Sequence, residues 1–179
     1  SYITIQMVSP SNGNLSMSEI SGFMSGATSD GSAEIKVTTD YSGYNLDIKS
    51  LYNPAMQCDT SVTPGCEAGD TIANYTPAGD VGTPDYSWSI DSDTAEFGFT
   101  AKGSHIVSKY LYNTGSSACG SGSYDQAGSY CWDALTASDG NHIASSVQSN
   151  HPNRTSTYLK FKTQIGSAKI QPSGTYKAG

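Results

Sequence analysis

The strongest constraint on the fold is a short alternation of apolar and polar residues that recurs along the chain. Tyr2 to Val8 places Ile3, Ile5 and Met7 on one side and Thr4 and Gln6 on the other. Successive side chains of a β-strand point to opposite faces, so a period of two predicts a strand with one apolar face. Ala33 to Thr39 repeats the pattern with Ile35 and Val37 inward, and Tyr44 to Lys49 does so with Tyr44, Leu46 and Ile48. Between them Asp40-Tyr41-Ser42-Gly43 reads as a turn, so the two segments are expected to form a β-hairpin. Ala95 to Ala101 turns Phe97 and Phe99 inward, and His105 to Tyr112 reads as a further strand. Thr157 to Thr163 places Leu159 and Phe161 inward and Lys160 and Lys162 outward. No segment carries a convincing helical period beyond a turn or two. About seven short strands joined by polar turns predict an antiparallel sandwich.

Composition agrees. The 19 glycines and 7 prolines among 179 residues are too many for a helical bundle. Charged residues make up 14%, against about 25% in an average soluble protein. The net charge is −7, and the nine Lys and Arg look scattered, which offers no basic face to displace counterions from a nucleic acid. No run of about 18 apolar residues predicts a transmembrane helix. No charged and then apolar leader opens the sequence, which therefore reads as a mature chain or a portion of one.

Two segments interrupt the strand pattern. Residues 51–93 are long and weakly patterned and hold Cys58 and Cys66; residues 113–131 are Gly/Ser-rich and hold Cys119 and Cys131. Residues 9–31 form a third loop, with Ile20, Phe23 and Met24 as its apolar members. Four cysteines allow three pairings. Each of these pairs shares one flexible segment, so the local bridges Cys58–Cys66 and Cys119–Cys131 are expected. Each would contribute about 2–3 kcal/mol by restricting the unfolded chain. The spacing lacks the knuckle of a zinc site. Disulfides imply an oxidising, extracellular or cell-surface setting. The sequons at Asn14, Asn74 and Asn153 are candidate glycosylation sites in that setting.

Three blocks carry a resemblance. They are Val37-Thr38-Thr39-Asp40-Tyr41-Ser42-Gly43-Tyr44-Asn45-Leu46, Glu96-Phe97-Gly98-Phe99, and Thr157-Tyr158-Leu159-Lys160-Phe161 followed by Pro172-Ser173-Gly174-Thr175-Tyr176. The series resembles secreted bacterial surface proteins with an immunoglobulin-like β-sandwich, which share blocks of the type TTN-x-x-GY-x-L, EFG and PAGTY. More loosely, it is similar to pilin subunits and spore-coat-protein-U-like domains. The resemblance implies an immunoglobulin-like, pilin-like antiparallel β-sandwich; the long disulfide-braced loops lie outside the matching blocks. In such proteins the last block leads into a final strand reading Thr-Val-Thr-Val, for which this sequence has no counterpart after Tyr176.

Chemistry is sparse. His105, His142 and His151 share no segment, and no G-x-S-x-G elbow supports a nucleophile, so neither an enzyme nor a cofactor is expected. Asp91, Asp93 and Glu96, with Asp85 nearby, are a weak calcium candidate without the central glycine of an EF-hand. Tyr41, Tyr52, Tyr75, Tyr86, Tyr110, Tyr112, Tyr124 and Tyr130, with Trp88 and Trp132, are candidates for covering the core, for subunit contacts or for stacking on glycans. The functional expectation is a structural subunit of an extracellular filament, pilus or fimbria. Residues 1–12 would be a strand and hinge, and residues 13–179 one sandwich domain. Ile3, Ile5 and Met7 would be donated into a neighbouring copy in a head-to-tail helical polymer; the alternatives are that residues 2–8 pair within their own chain or that a further C-terminal strand completes the fold. The alternative is a monomeric adhesin or carbohydrate-binding module with surface glycans as partners.

Overall fold

The computed structural model describes residues 1–20, 26–62, 65–78, 82–124, 130–138 and 140–179. Phe23, Met24, Pro64 and Gly79 lie outside them. The fold is all-β. The strands are β1 (Ile3–Ser9), β2 (Thr28–Thr39), β3 (Tyr44–Ile48), β4 (Met56–Cys58), β5 (Thr71–Asn74) and β6 (Ala95–Lys102). They continue with β7 (Tyr112–Asn113), β8 (Ala118–Cys119), β9 (Asp133–Ala134), β10 (Asn141–Ser146), β11 (Thr155–Ile165) and β12 (Tyr176–Ala178). One sheet runs β1-β2-β11-β6-β5-β4-β12, with β9 also pairing with β6; β3 pairs with β10, and β7 with β8.

At the centre, β11 lies antiparallel between β2 and β6, with Phe161 opposite both Gly31 and Phe99. The odd-numbered residues of these strands form the core face: Ala33 and Val37, Phe97, Phe99 and Ala101, Leu159 and Ile165 are all buried. Tyr44 and Leu46 of β3 and Ile143 and Ala144 of β10 join the same hydrophobic cluster, so this pair packs against the core face of the sheet.

Several expectations are corrected. β2 and β3 do not form a hairpin: β2 pairs with β1 and β11, and β3 pairs with β10. Asp40–Gly43 is therefore a corner between sheets. Gly43 lies so close to the Ser146 carbonyl that a Cβ there would collide with it. The sheet is also not wholly antiparallel, because β5 and β6 run parallel.

His105 to Tyr112 is not one strand. Ile106 makes a single bridge to Ala144, Ser108–Tyr110 forms a 3₁₀ turn, and only Tyr112 enters β7. The turn carries Tyr110 to a fully buried position beside Phe99 and Asp133, which a straight strand of alternating side chains would not do. β10 escapes a period-two reading because its register shifts between His142 and Ala144, which leaves consecutive residues Ile143 and Ala144 buried. β2 begins well before Ala33 because Leu15 and Met17 lie over Gly31 and fill the space a side chain would take. The segment after Gly174 is itself a strand: β12 pairs with β4, Tyr176 opposite Cys58.

Candidate functional site

β1 lies along the outer edge of β2, with Ile3 opposite Thr39, Ile5 opposite Val37 and Met7 opposite Ile35. The pairing places Ile3, Ile5 and Met7 toward the core side, yet they stay exposed. Their exposures are 49%, 63% and 37%. The strand is attached mostly by polar contacts. Asp40 Oδ1 accepts from the Tyr2 N–H at 2.6 Å, Thr39 Oγ1 donates to the Tyr2 carbonyl, and Arg154 donates to Gln6 Oε1 at 2.6 Å. The Tyr2 N–H holds the Asp40 carboxyl below its ordinary pKa. Beyond Ser9 the chain reverses through a turn in which the Gly13 N–H donates to the Pro10 carbonyl and the Asn14 N–H to Asn12 Oδ1. A Cβ on Gly13 would meet nothing within 4 Å, so the tip of this turn has open space around it among the described residues.

The even-numbered face of the same sheet is built differently. Glu34 and Ser32 of β2 lie opposite Tyr158 and Lys160 of β11, which lie opposite Lys102 and Thr100 of β6. Aromatic rings from the two disulfide-bearing loops fold onto this face. Trp88 stacks on Tyr75 with centroids 4.2 Å apart, and Trp132 meets both Trp88 and Tyr130. Gly98 permits this: a Cβ there would lie 2.7 Å from Tyr75 Cβ, 2.9 Å from the Asp133 carbonyl and 3.0 Å from the Trp88 ring. Lysines sit over the rings, Lys102 and Lys160 at 4.1 and 4.6 Å from the Tyr130 centroid and Lys162 at 5.3 Å from that of Trp88. Burial lowers the pKa of Lys162; Asp30 opposes that shift and Lys160 adds to it. The scatter of the cations is thus corrected. Lys36, Lys102, Arg154, Lys160 and Lys162 are five of the nine Lys and Arg, and the register brings them to one face.

The cysteines form the local bridges Cys58–Cys66 and Cys119–Cys131. The first braces the loop on which β12 rests, where Lys177 also reaches Asp59 at 3.0 Å. Hydrogen bonds from Ser61, then Lys177, lower the Asp59 pKa to about 2. The second bridge ties β8 to the segment carrying Trp132 and Asp133.

Asp91, Asp93 and Glu96 are not gathered, and among the described residues no three acidic, His or Cys side chains form a metal-ligating group. Glu96, opposite Gln164 on the even-numbered face, is buried and accepts from the Thr76 N–H and the Thr94 hydroxyl, with burial raising its pKa. The histidines fall in three places: His105 against Tyr44, His142 against Asp47 at the surface, and His151 edge-on to Tyr2. Asn14 and Asn153 are exposed, whereas Asn74 is half-buried and its Oδ1 accepts from the Ala55 N–H. Among the aromatics, Tyr75, Tyr110, Tyr112 and Trp132 cover core or sheet, while Tyr41, Tyr52 and Tyr124 are exposed.

The sequence reading missed Asp133. This fully buried carboxylate accepts from Lys109 Nζ at 3.1 Å, the Tyr110 hydroxyl at 3.0 Å and Asn141 Nδ2 at 3.3 Å, tying the 3₁₀ turn to β9 and β10. Its neighbours in sequence are apolar, and nothing local distinguishes it from a surface aspartate.

Comparison with family models, with curated proteins and with solved structures finds no match. Among the described residues no helix is long and apolar enough to cross a membrane.

Proposed function

We propose that the chain is a structural subunit of an extracellular filament, an immunoglobulin-like, pilin-like β-sandwich whose copies are joined by exchange of β1. One observation carries the reading: β1 is hydrogen-bonded to β2 along its length while its apolar side chains stay exposed. Backbone bonds contribute about 0.5–1.5 kcal/mol each, net. Full burial of an Ile or Met adds about 1.5–3 kcal/mol, which this placement largely forgoes. In the exchange, β1 of one copy takes the same β2 edge in the next, so the existing pairing is kept. The subunit contact then covers Ile3, Ile5 and Met7. Pro10–Gly13 is the hinge. A head-to-tail contact whose rotation does not close on itself builds a fibre. The two disulfides suit an oxidising exterior.

Gln6 and Lys36 are directly opposite on β1 and β2 and face away from the core. The double variant Gln6→Cys with Lys36→Cys, oxidised after assembly, is expected to give a ladder of covalent multimers on a non-reducing gel. Internally bridged monomer alone would overturn strand exchange. Ile3→Asp with Ile5→Asp is expected to abolish fibres in electron micrographs while both native disulfides still form.

A further inference from the structure

The buried carboxylate of Asp133 holds two groups that can react with each other. Lys109 Nζ and Asn141 Nδ2 both donate to its Oδ2, at 3.1 and 3.3 Å, so an amine and a carboxamide meet on one oxygen. The Tyr110 hydroxyl donates to the same atom at 3.0 Å, and the Ala134 N–H donates to Oδ1 at 2.9 Å. Asp133 and Tyr110 are fully buried, and Asn141 is 6% exposed. Tyr110, Leu135 and Ile143, close to these groups in the chain, belong to the hydrophobic cluster, so the site lies at the core.

The other end of the Asn141 amide is also held. Its Oδ1 accepts from the Thr136 N–H at 3.5 Å and from the Thr136 hydroxyl at 3.4 Å. Both bonds are long in this unreacted state, and such donors tighten onto an oxygen as it gains negative charge. An ion pair needs only Lys109 and Asp133. The amide on the same oxygen, with two donors behind its carbonyl, is what an ion pair does not explain.

The lysine is able to move. Its side chain is 29% exposed, and its ammonium rests 4.8 Å from the centroid of the Tyr110 ring. The stem is flexible, so Nζ can swing from Oδ2 toward the neighbouring amide carbon. A lysine is a nucleophile once a base takes its proton, and Asp133 is that base. In the apolar interior this transfer removes both charges, whereas keeping an ion pair there costs desolvation. Burial, and then the Asp133 charge, pushes the Tyr110 hydroxyl far above its ordinary pKa, so it stays a donor.

We propose that Lys109 and Asn141 become joined by an intramolecular isopeptide bond, with Asp133 carrying the protons. Asp133 first accepts a proton from the Lys109 ammonium. The freed Nζ lone pair attacks Asn141 Cγ, and the carbonyl electron pair moves onto Oδ1, where the Thr136 donors hold it. Asp133 returns its proton to Nδ2 and takes the next one from Nζ. The Cγ–Nδ2 bond then breaks, the carbonyl re-forms, and ammonia leaves with the proton that restores the carboxylate. The sum is one ammonium ion lost, with no oxidant or cofactor. The bond links the 3₁₀ turn to β10 and closes a loop around the Cys119–Cys131 bridge. It forms within one chain and does not depend on exchange of β1.

The test is intact mass spectrometry of the full 179-residue chain with both disulfides formed. The chain is expected to be lighter than its sequence by one ammonia. After reduction and denaturation, trypsin is expected to cut after Lys102 but not after Lys109. Chymotrypsin is expected to release a branched peptide joined through Lys109 and Asn141. Lys109→Arg and Asp133→Asn are each expected to keep the full mass, the second with both reacting side chains still present. Lys160→Arg, which alters a lysine outside the site, is expected to lose ammonia as the native chain does. Circular dichroism would check that each variant is folded.

A native chain that keeps its full mass after prolonged incubation would overturn the proposal. So would loss of ammonia with Lys109 still cut by trypsin, which would place the loss at another amide such as Asn12. Loss of water with a Lys109–Asp133 link would overturn the assignment of Asn141, and complete cross-linking in Asp133→Asn would overturn that of the proton carrier.

Discussion

β11 and β1 both alternate apolar and polar residues, yet Leu159 in β11 is 3% exposed and Ile5 in β1 is 63% exposed. The difference is position. β11 has a strand on each side, the buried cluster against its odd face, and aromatic rings and lysines on its even face. Among the described residues β1 has one neighbouring strand, and Ile3 and Ile5 stay exposed. Period two tells which side chains share a face. It does not tell whether anything lies on that face, because the covering residues come from elsewhere in the chain.

The largest effect is expected at the centre of the sheet. Phe99→Ala, beside β11, removes a fully buried ring from the core and is expected to cost about 3–5 kcal/mol in urea unfolding. A loss below 1 kcal/mol would mean that the central strands are no better packed than the edge. Asp133→Ala leaves Tyr110 and Asn141 without their shared acceptor. It is expected to cost about 2–3 kcal/mol in the same assay.

Within β11, Thr157 is buried with its Oγ1 unpaired. Thr157→Val keeps the shape and removes the unpaired hydroxyl, so a gain of about 1 kcal/mol is expected by thermal unfolding. A loss would show that the hydroxyl has a partner. At the edge, Ile5→Ala should change monomer stability by less than about 0.5 kcal/mol, the range of exposed substitutions. A cost comparable to that of Phe99→Ala would mean β1 is part of the core after all.

The smallest effect is set by pH. The carboxyl of Asp40 has its pKa lowered by the Tyr2 N–H, so its hold on β1 is complete above the ordinary aspartate range and is lost as the pH falls through the lowered value. Hydrogen-exchange protection of the β1 amides, measured against the β11 amides, is expected to decline at acid pH in β1 first. Asp40→Asn should lower β1 protection near neutrality and converge with the native chain at low pH. Equal β1 protection in the two proteins near neutrality would remove Asp40 from the attachment.

Much was legible from local signals. The alternation in β1, β3, β6 and β11 marked those strands and their apolar faces, and the local cystines followed from two cysteine pairs each within one loop. β10 was not legible, because a bulge breaks its period. The start of β2 was hidden by small residues that Leu15 and Met17 cover from a distance in sequence. Asp133 was hidden because its partners, Lys109, Tyr110 and Asn141, come from other segments.

The sequence by itself determined that this chain is all-β, which residues of each regular strand share a face, and how its cysteines pair, since these depend on neighbours a few positions away. Only the tertiary structure decided that β2 turns from β3 to β11, that β1 is an uncovered edge, and that five scattered cations share a face with an unpaired threonine. Strand order and layer packing are set by the burial of surfaces far apart in the chain, and a local pattern carries no record of its distant partner.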